Sequence, residues 1–349
     1  MQIEQALFGK VGEESIWKFT FSNNKGTKVS VINYGAIITE IQTLDKQNQL
    51  ANIVLNFDDF TQYHLHNDAY FGAFVGRCCN RIANGKFSLS NDPNHVYQLA
   101  VNNGPNHLHG GIKGFDKKIY KFQIQQPNKL ILTGVSEDGE EGYPGKLEIQ
   151  IQYELNDKNE FQMTFNGQTD KQTLCNLTSH SYFNLQTKKD FATCMQDHSL
   201  FINADFYTPL DDTCCPYGEI LKVQNTPFDF TQQKIIQEQL SQQEKDNQLK
   251  IGNGLDHNFV LKRSGKINLA AKVQENTSGR VLEVYTNQPG LQLYTGNYLS
   301  QIKGFVDRAG FCLETQGIPN SINIPHFPQV ELQPGQNNEH ITIYKFSTI

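Results

Sequence analysis

No run of about 18 apolar residues occurs in this 349-residue chain, and the first ten residues lack the apolar core of a signal peptide, so neither membrane insertion nor secretion is expected. Charge is sparse at 19%, the formal net charge is −6, and no cluster of Lys and Arg is present, which argues against a nucleic-acid partner. The seven cysteines show no CxxC spacing, and Cys78-Cys79 and Cys214-Cys215 are adjacent pairs unsuited to bridging one another. They read as small buried hydrophobes in a reducing compartment, the cytoplasm, where the sequons at Asn176 and Asn276 would stay idle. The chain also lacks a GxSxG elbow, a phosphate-binding P-loop and a strand-linked GxGxxG, which removes those hydrolase and nucleotide readings. With no fixed-period repeat and no Pro- or Ser-rich linker, residues 1–349 read as a single domain.

What is present points to strands. The 33 asparagines and 33 glutamines depress both the apolar and the charged fractions, yet 23 Phe and 14 Tyr are too many for a solvated coil. Leu147, Ile149, Ile151, Tyr153 and Leu155 alternate with Glu148, Gln150, Gln152 and Glu154, the signature of a half-buried strand. The same period of two recurs at Tyr120, Phe122 and Ile124 and at Ile341 and Ile343, and turn signals such as Asn84-Gly85, Asp138-Gly139 and Pro289-Gly290 punctuate the chain. The expected class is all-β, a large antiparallel β-sandwich with few short helices. Helical patterns are confined to Asp58–His66 and to Thr231–Leu249, a Gln-rich stretch with a thin stripe of Ile235, Ile236 and Leu240 that reads as a surface insertion.

Five segments concentrate polar residues that a sandwich core does not need: Gly76 to Arg81, Asn106 to Gly111, Ser179 to Asn184, Gly254 to Asn258, and Cys312 to Gln316. Brought together, they would offer the donors and acceptors that a polyhydroxylated ligand requires. On residues alone, His180 reads either as a hydrogen-bonded core histidine or as an acid or base with a pKa near neutrality. Glu314 reads as a solvated strand-face residue or a functional acid, Asp256 as an Asx turn or a ligand contact, and Arg77 and Arg81 as salt-bridged or hydroxyl-binding groups. His107 and His109 would share one strand face like a metal pair, but no third ligand stands at a zinc spacing.

In order along the chain, these segments resemble the aldose 1-epimerase (galactose mutarotase) family. The resemblance runs from Asn33-Tyr34-Gly35-Ala36 to Pro334-Gly335 and includes Asn80-Arg81-Ile82-Ala83, Gly114-Phe115-Asp116-Lys117, Thr208-Pro209, Pro227-Phe228-Asp229-Phe230, and Tyr294-Thr295-Gly296-Asn297. It implies a galactose mutarotase-like supersandwich that interconverts the α and β anomers of free aldohexoses such as D-galactose and D-glucose. It implies no metal or organic cofactor, a monosaccharide as the small-molecule partner, and a monomer or homodimer. Carried over by position, Glu314 is the base and His180 the acid, while Asn80, Arg81, His109, Asp256 and Gln292 contact sugar hydroxyls. Cys78-Cys79 and Gly317 depart from the family's usual residues.

Ring opening at an anomeric carbon removes the C1 hydroxyl proton while the ring oxygen gains one. A carboxylate and a protonated imidazole on opposite sides of the acetal fit that demand, with apolar neighbours bringing both pKa values toward neutrality. Two rival readings share the pocket: a glycoside hydrolase using Glu314 and Asp256 as a carboxylate pair, and a non-catalytic sugar-binding protein.

Overall fold

The computed structural model describes residues 1–349, and two large antiparallel sheets dominate it. One sheet has nine strands in the spatial order Lys121–Gln125, Lys129–Ser136, Leu147–Leu155, Glu160–Thr169, Asn338–Thr348, Arg280–Thr286, Asn268–Glu275, His198–Ile202 and Lys234–Ile235. The other has six, ordered Tyr182–Phe183, Phe311–Gln316, Gly290–Tyr294, Asp256–Leu261, Ala204–Thr208 and Leu221–Lys222. A five-stranded meander between Gln2 and Asn52 adds a third sheet. All three contribute to one apolar core of 54 buried residues, and Phe183 of the six-stranded sheet meets Tyr344 of the nine-stranded sheet edge-on at 5.2 Å. This is the expected sandwich, each sheet burying its apolar face against another.

Strand Leu147–Leu155 follows its pattern, with all five apolar residues buried and Glu148 and Gln150 exposed. Strand Asn338–Thr348 does not present the face that Ile341 and Ile343 suggest. Tyr344 and Phe346 join the main core, while Ile343 is only half-buried. The strand is paired on both sides in the middle of its sheet, so the choice of inner face falls to the larger aromatic side chains. Lys121–Gln125 is an edge strand, which leaves Phe122 exposed although it packs on Phe19.

Four short helices complete the fold. Phe60–Leu65 starts at Asp59, whose carboxylate accepts the Gln62 N–H at 3.0 Å as an N-cap. The stretch expected to be a surface insertion breaks into a two-residue strand, Lys234–Ile235, and two short helices, Ile236–Leu240 and Asn247–Ile251. It is not peripheral: Ile236, Leu240 and Leu249 are buried in the main core. A stripe that thin cannot support a free amphipathic helix, so the segment folds by inserting its few apolar side chains. No helix is long and apolar enough to cross a membrane. All seven cysteines are free thiols, and only Cys214 is partly exposed.

Candidate active site

The site grows out of strand register. Strands Asp256–Leu261, Gly290–Tyr294 and Phe311–Gln316 pair so that Asp256, Tyr294 and Cys312 form one rung and Asn258, Gln292 and Glu314 the next. Because side chains alternate, Phe259, Leu291, Leu293, Phe311 and Leu313 enter the sandwich core while the rungs face the other way. On that side lies a cleft of about 450 Å³, lined among others by Tyr70, Asn80, Arg81, His109, His180, Asp256, Tyr294 and Glu314.

His180 sits between the short strands Thr178–Ser179 and Tyr182–Phe183, its N–H donating to Ala73 O at 2.9 Å and its carbonyl accepting from Gly72 N at 3.0 Å. Its ring is thereby held beside Glu314, Nε2 to Oε1 at 3.7 Å, with Nδ1 3.5 Å from Cys312 Sγ. Tyr70, Tyr182 and Tyr294 surround it at ring distances of 5.9, 5.1 and 6.4 Å. Glu314 is 2% exposed, and its Oε2 has no hydrogen-bond partner.

Burial acts on the two groups in opposite directions. It drives the Glu314 carboxyl well above the usual carboxylate range, with the nearby Asp256 charge adding to the rise and Arg81 opposing it. It lowers the His180 imidazole to about 4, against a smaller pull from its own carbonyl. The expectation that apolar surroundings bring both toward neutrality therefore holds for Glu314 only. The two groups are close neighbours in the cleft, Nε2 to Oε1 at 3.7 Å.

The cleft wall is built from residues in left-handed backbone conformations. Tyr70, Asn80 and His109 have φ of +60°, +56° and +53°, which side chains other than glycine adopt reluctantly. Asn80 and His109 hold each other there: His109 N–H donates to Asn80 O at 3.1 Å, and Asn80 N–H donates to His109 Nδ1 at 3.2 Å. With Nδ1 accepting, the neutral ring carries its proton on Nε2, a donor for a ligand hydroxyl. Arg81 donates from Nε to Asn103 Oδ1 at 2.9 Å and pairs with Asp256 Oδ2 at 3.5 Å. Gln292 is not among the cleft-lining residues; its amide donates to Asp256 Oδ1 at 2.7 Å and its oxygen accepts from Gln316 at 3.4 Å.

Other candidates lie elsewhere. Arg77 is buried outside the cleft lining, donating to the carbonyls of Ser136, Glu137, Pro144 and Gly145 and to the Ser136 and Thr173 hydroxyls. His107 does not share a face with His109, whose left-handed backbone turns it away; both its ring nitrogens are engaged, by Ala100 O at 2.8 Å and the Tyr143 hydroxyl at 2.6 Å. No three His, Cys, Asp or Glu side chains are arranged to hold a metal ion. Cys78, Cys79 and Gly317 are outside the cleft lining. Tyr70, Asp68, Thr213 and Tyr298 line it without having been singled out from sequence, and Cys214, expected to be a buried hydrophobe, lines it partly exposed. Only the turn signature Asn102-Asn103-Gly104 offered a hint of a further wall residue, Asn103.

Residues 18–345 match the family model for aldose 1-epimerase. Galactose mutarotase of Bos taurus is 41% identical over 355 residues, covering 99% of both chains, and aldose 1-epimerase of Escherichia coli (strain K12) is 32% identical over 335 residues, covering 94% of both. The crystal structure of galactose 1-epimerase from Lactobacillus acidophilus NCFM superposes with a TM-score of 0.87 at 29% identity, covering 99% of each chain. The chain therefore belongs to the aldose 1-epimerase family.

Proposed function

We propose that the cleft interconverts the α and β anomers of free aldohexoses, galactose and glucose among them, by acid–base ring opening and reclosure. The observation that carries this is the His180–Glu314 pair, 3.7 Å apart on the cleft floor with one carboxyl oxygen lacking any protein partner. The pair holds one proton, which burial places on Glu314 at rest and which passes to His180 in the reactive arrangement, leaving a carboxylate beside an imidazolium. Glu314 takes the C1 hydroxyl proton as His180 delivers one to the ring oxygen, and the C1–O5 bond breaks to give the open-chain aldehyde. Rotation about C1–C2 exposes the other aldehyde face, and the reversed transfers close the opposite anomer. Each positioned group contributes on the order of 100- to 10,000-fold, enough for a reaction that already proceeds in water.

Asn80, Arg81, His109 and Asp256 hold hydroxyls around the ring. Gln292 acts through Asp256, whose second oxygen faces Arg81. That engagement also disfavours Asp256 as the second carboxylate of a glycosidase. Seven free thiols suit work in a reducing compartment such as the cytoplasm. The test is polarimetry on freshly dissolved α-D-galactose and α-D-glucose. A protein-dependent acceleration of the optical change, with no new reducing ends from glycosides, is expected; a rate equal to the uncatalysed background overturns the reading.

A further inference from the structure

The turn that follows His109 is unusual in its backbone. His109, Gly110 and Gly111 have φ of +53°, +84° and +107° in succession, and a Cβ on Gly110 would lie 1.9 Å from Gly76 O. Such a turn persists only where its surroundings over-determine it. The next two amides, Ile112 and Lys113, both point at one carboxylate: Ile112 N–H donates to Glu141 Oε2 at 3.0 Å and Lys113 N–H to Glu141 Oε1 at 2.9 Å. Consecutive backbone N–H groups form a concavity suited to an anion, and here the chain supplies its own. The carboxylate fills the space over Gly111, where a Cβ would meet Glu141 Oε2 at 2.2 Å.

Glu141 is held in its turn by a segment that braces several parts of the site wall. Tyr143 engages His107, two residues before His109. Pro144 and Gly145 accept from Arg77, three residues before Asn80. Glu141 itself is left-handed at φ +51°, so its own backbone is committed to this placement. On the opposite side, Asn102 fastens the turn by bonds to Leu108 and Gly111.

We infer that Glu141 is a positioning residue for sugar recognition, its bidentate grip on the Ile112 and Lys113 amides keeping His109 in the conformation that presents Nε2–H to the cleft. It touches no substrate, and it acts before the chemical step. The inference rests on the reading that His109 holds a sugar hydroxyl, and it predicts a loss in binding rather than turnover.

The experiment is a double-mutant cycle on galactose mutarotation, with KM and kcat resolved separately for Glu141→Ala, His109→Ala and the double variant. Glu141→Ala should raise KM by about tenfold with kcat within about threefold of the parent. Glu141→Gln, which keeps one acceptor oxygen, should raise KM by less. In the His109→Ala background, removing Glu141 should add little further, because the residue it positions is gone. Full additivity, or an unchanged KM in Glu141→Ala and Glu141→Gln beside a raised KM in His109→Ala, overturns the positioning role alone. An unchanged KM in His109→Ala overturns the site reading and the clamp with it. Should Glu141→Ala fail to fold, Glu141→Gln and its double variant decide by the same criteria.

Discussion

Arg77 and Arg81 leave the same short loop four residues apart, and His107 and His109 the same turn two apart, yet the members of each pair belong to different regions. Arg77 and His107 are buried outside the cleft lining, where Arg77 meets six acceptor atoms and both nitrogens of His107 are engaged. Arg81 and His109 stand in the cleft wall, each with donor capacity that no protein group takes up. The polar atoms of Arg77 and His107 follow the rule that polar groups removed from water are hydrogen-bonded, with Arg77 Nε the atom left over. The cleft departs from it, most strongly at Glu314 Oε2. The contrast is one of degree: Arg77 and His107 spend nearly all their capacity on the fold, whereas Arg81, His109 and Glu314 keep some that faces a cleft.

The largest effect tests the unpartnered carboxyl oxygen of the cleft. Glu314→Gln should lower the mutarotation rate by at least roughly 100-fold. The folded parent retains its carboxyl proton more strongly than the unfolded chain does, so its stability falls as pH rises above the usual carboxylate range. Glutamine has no such dependence, and the thermal midpoint of the variant should therefore gain on the parent as pH increases. A rate within about threefold of the parent would sink the assignment of Glu314.

His180→Asn should cost about 100-fold in kcat while galactose binding, read by calorimetry, persists through Arg81, Asn80 and Asp256. Normal turnover in this variant would place His180 with Arg77 and His107, among the residues that serve the fold.

The arginines should separate by readout. Arg77→Lys is expected to destabilise the protein by roughly 2–4 kcal/mol in chemical denaturation, since a lysine cannot serve so many acceptors. Arg81→Lys should leave stability within about 0.5 kcal/mol and raise KM several-fold. Equal effects on stability would erase the distinction drawn here.

A smaller effect concerns pH. The pair carries one proton between the pKa of His180, about 4, and the raised value of Glu314; a second proton enters below that window and none remains above it. The rate profile should therefore show an acid limb near 4 and a second limb where the raised Glu314 carboxyl ionises. A single limb centred near the ordinary histidine value would contradict it. Smallest of all, dialysis against a strong chelator should change nothing, because His107 has no free nitrogen to join His109 at a metal. Activity lost and then restored by Zn²⁺ would show otherwise.

Much of the fold was legible in alternation, as at Leu147–Leu155, because one face meets core and the other water. Asn338–Thr348 was not, since neighbours cover it on both sides and aromatic size, not the isoleucine pattern, chose the inner face. The Gln-rich stretch misled because three buried anchors, Ile236, Leu240 and Leu249, hardly register among so many amides. For the site, the choice between core histidine and acid at His180 proved a false opposition: the ring is both buried and at the cleft floor. Tyr70 was invisible, since its place depends on a left-handed backbone that no local sequence signal announces.

The rung that joins Asn258, Gln292 and Glu314 has one more consequence. Three consecutive strands must align to the residue before the base stands opposite its neighbours, and a slip of one position would turn Leu313 or Thr315 outward in its place. The position of the base therefore depends on the register of the whole sheet. The carboxylate is thus specified by the pairing of whole strands, whereas Asn80 and His109 are specified by the local backbone of two turns.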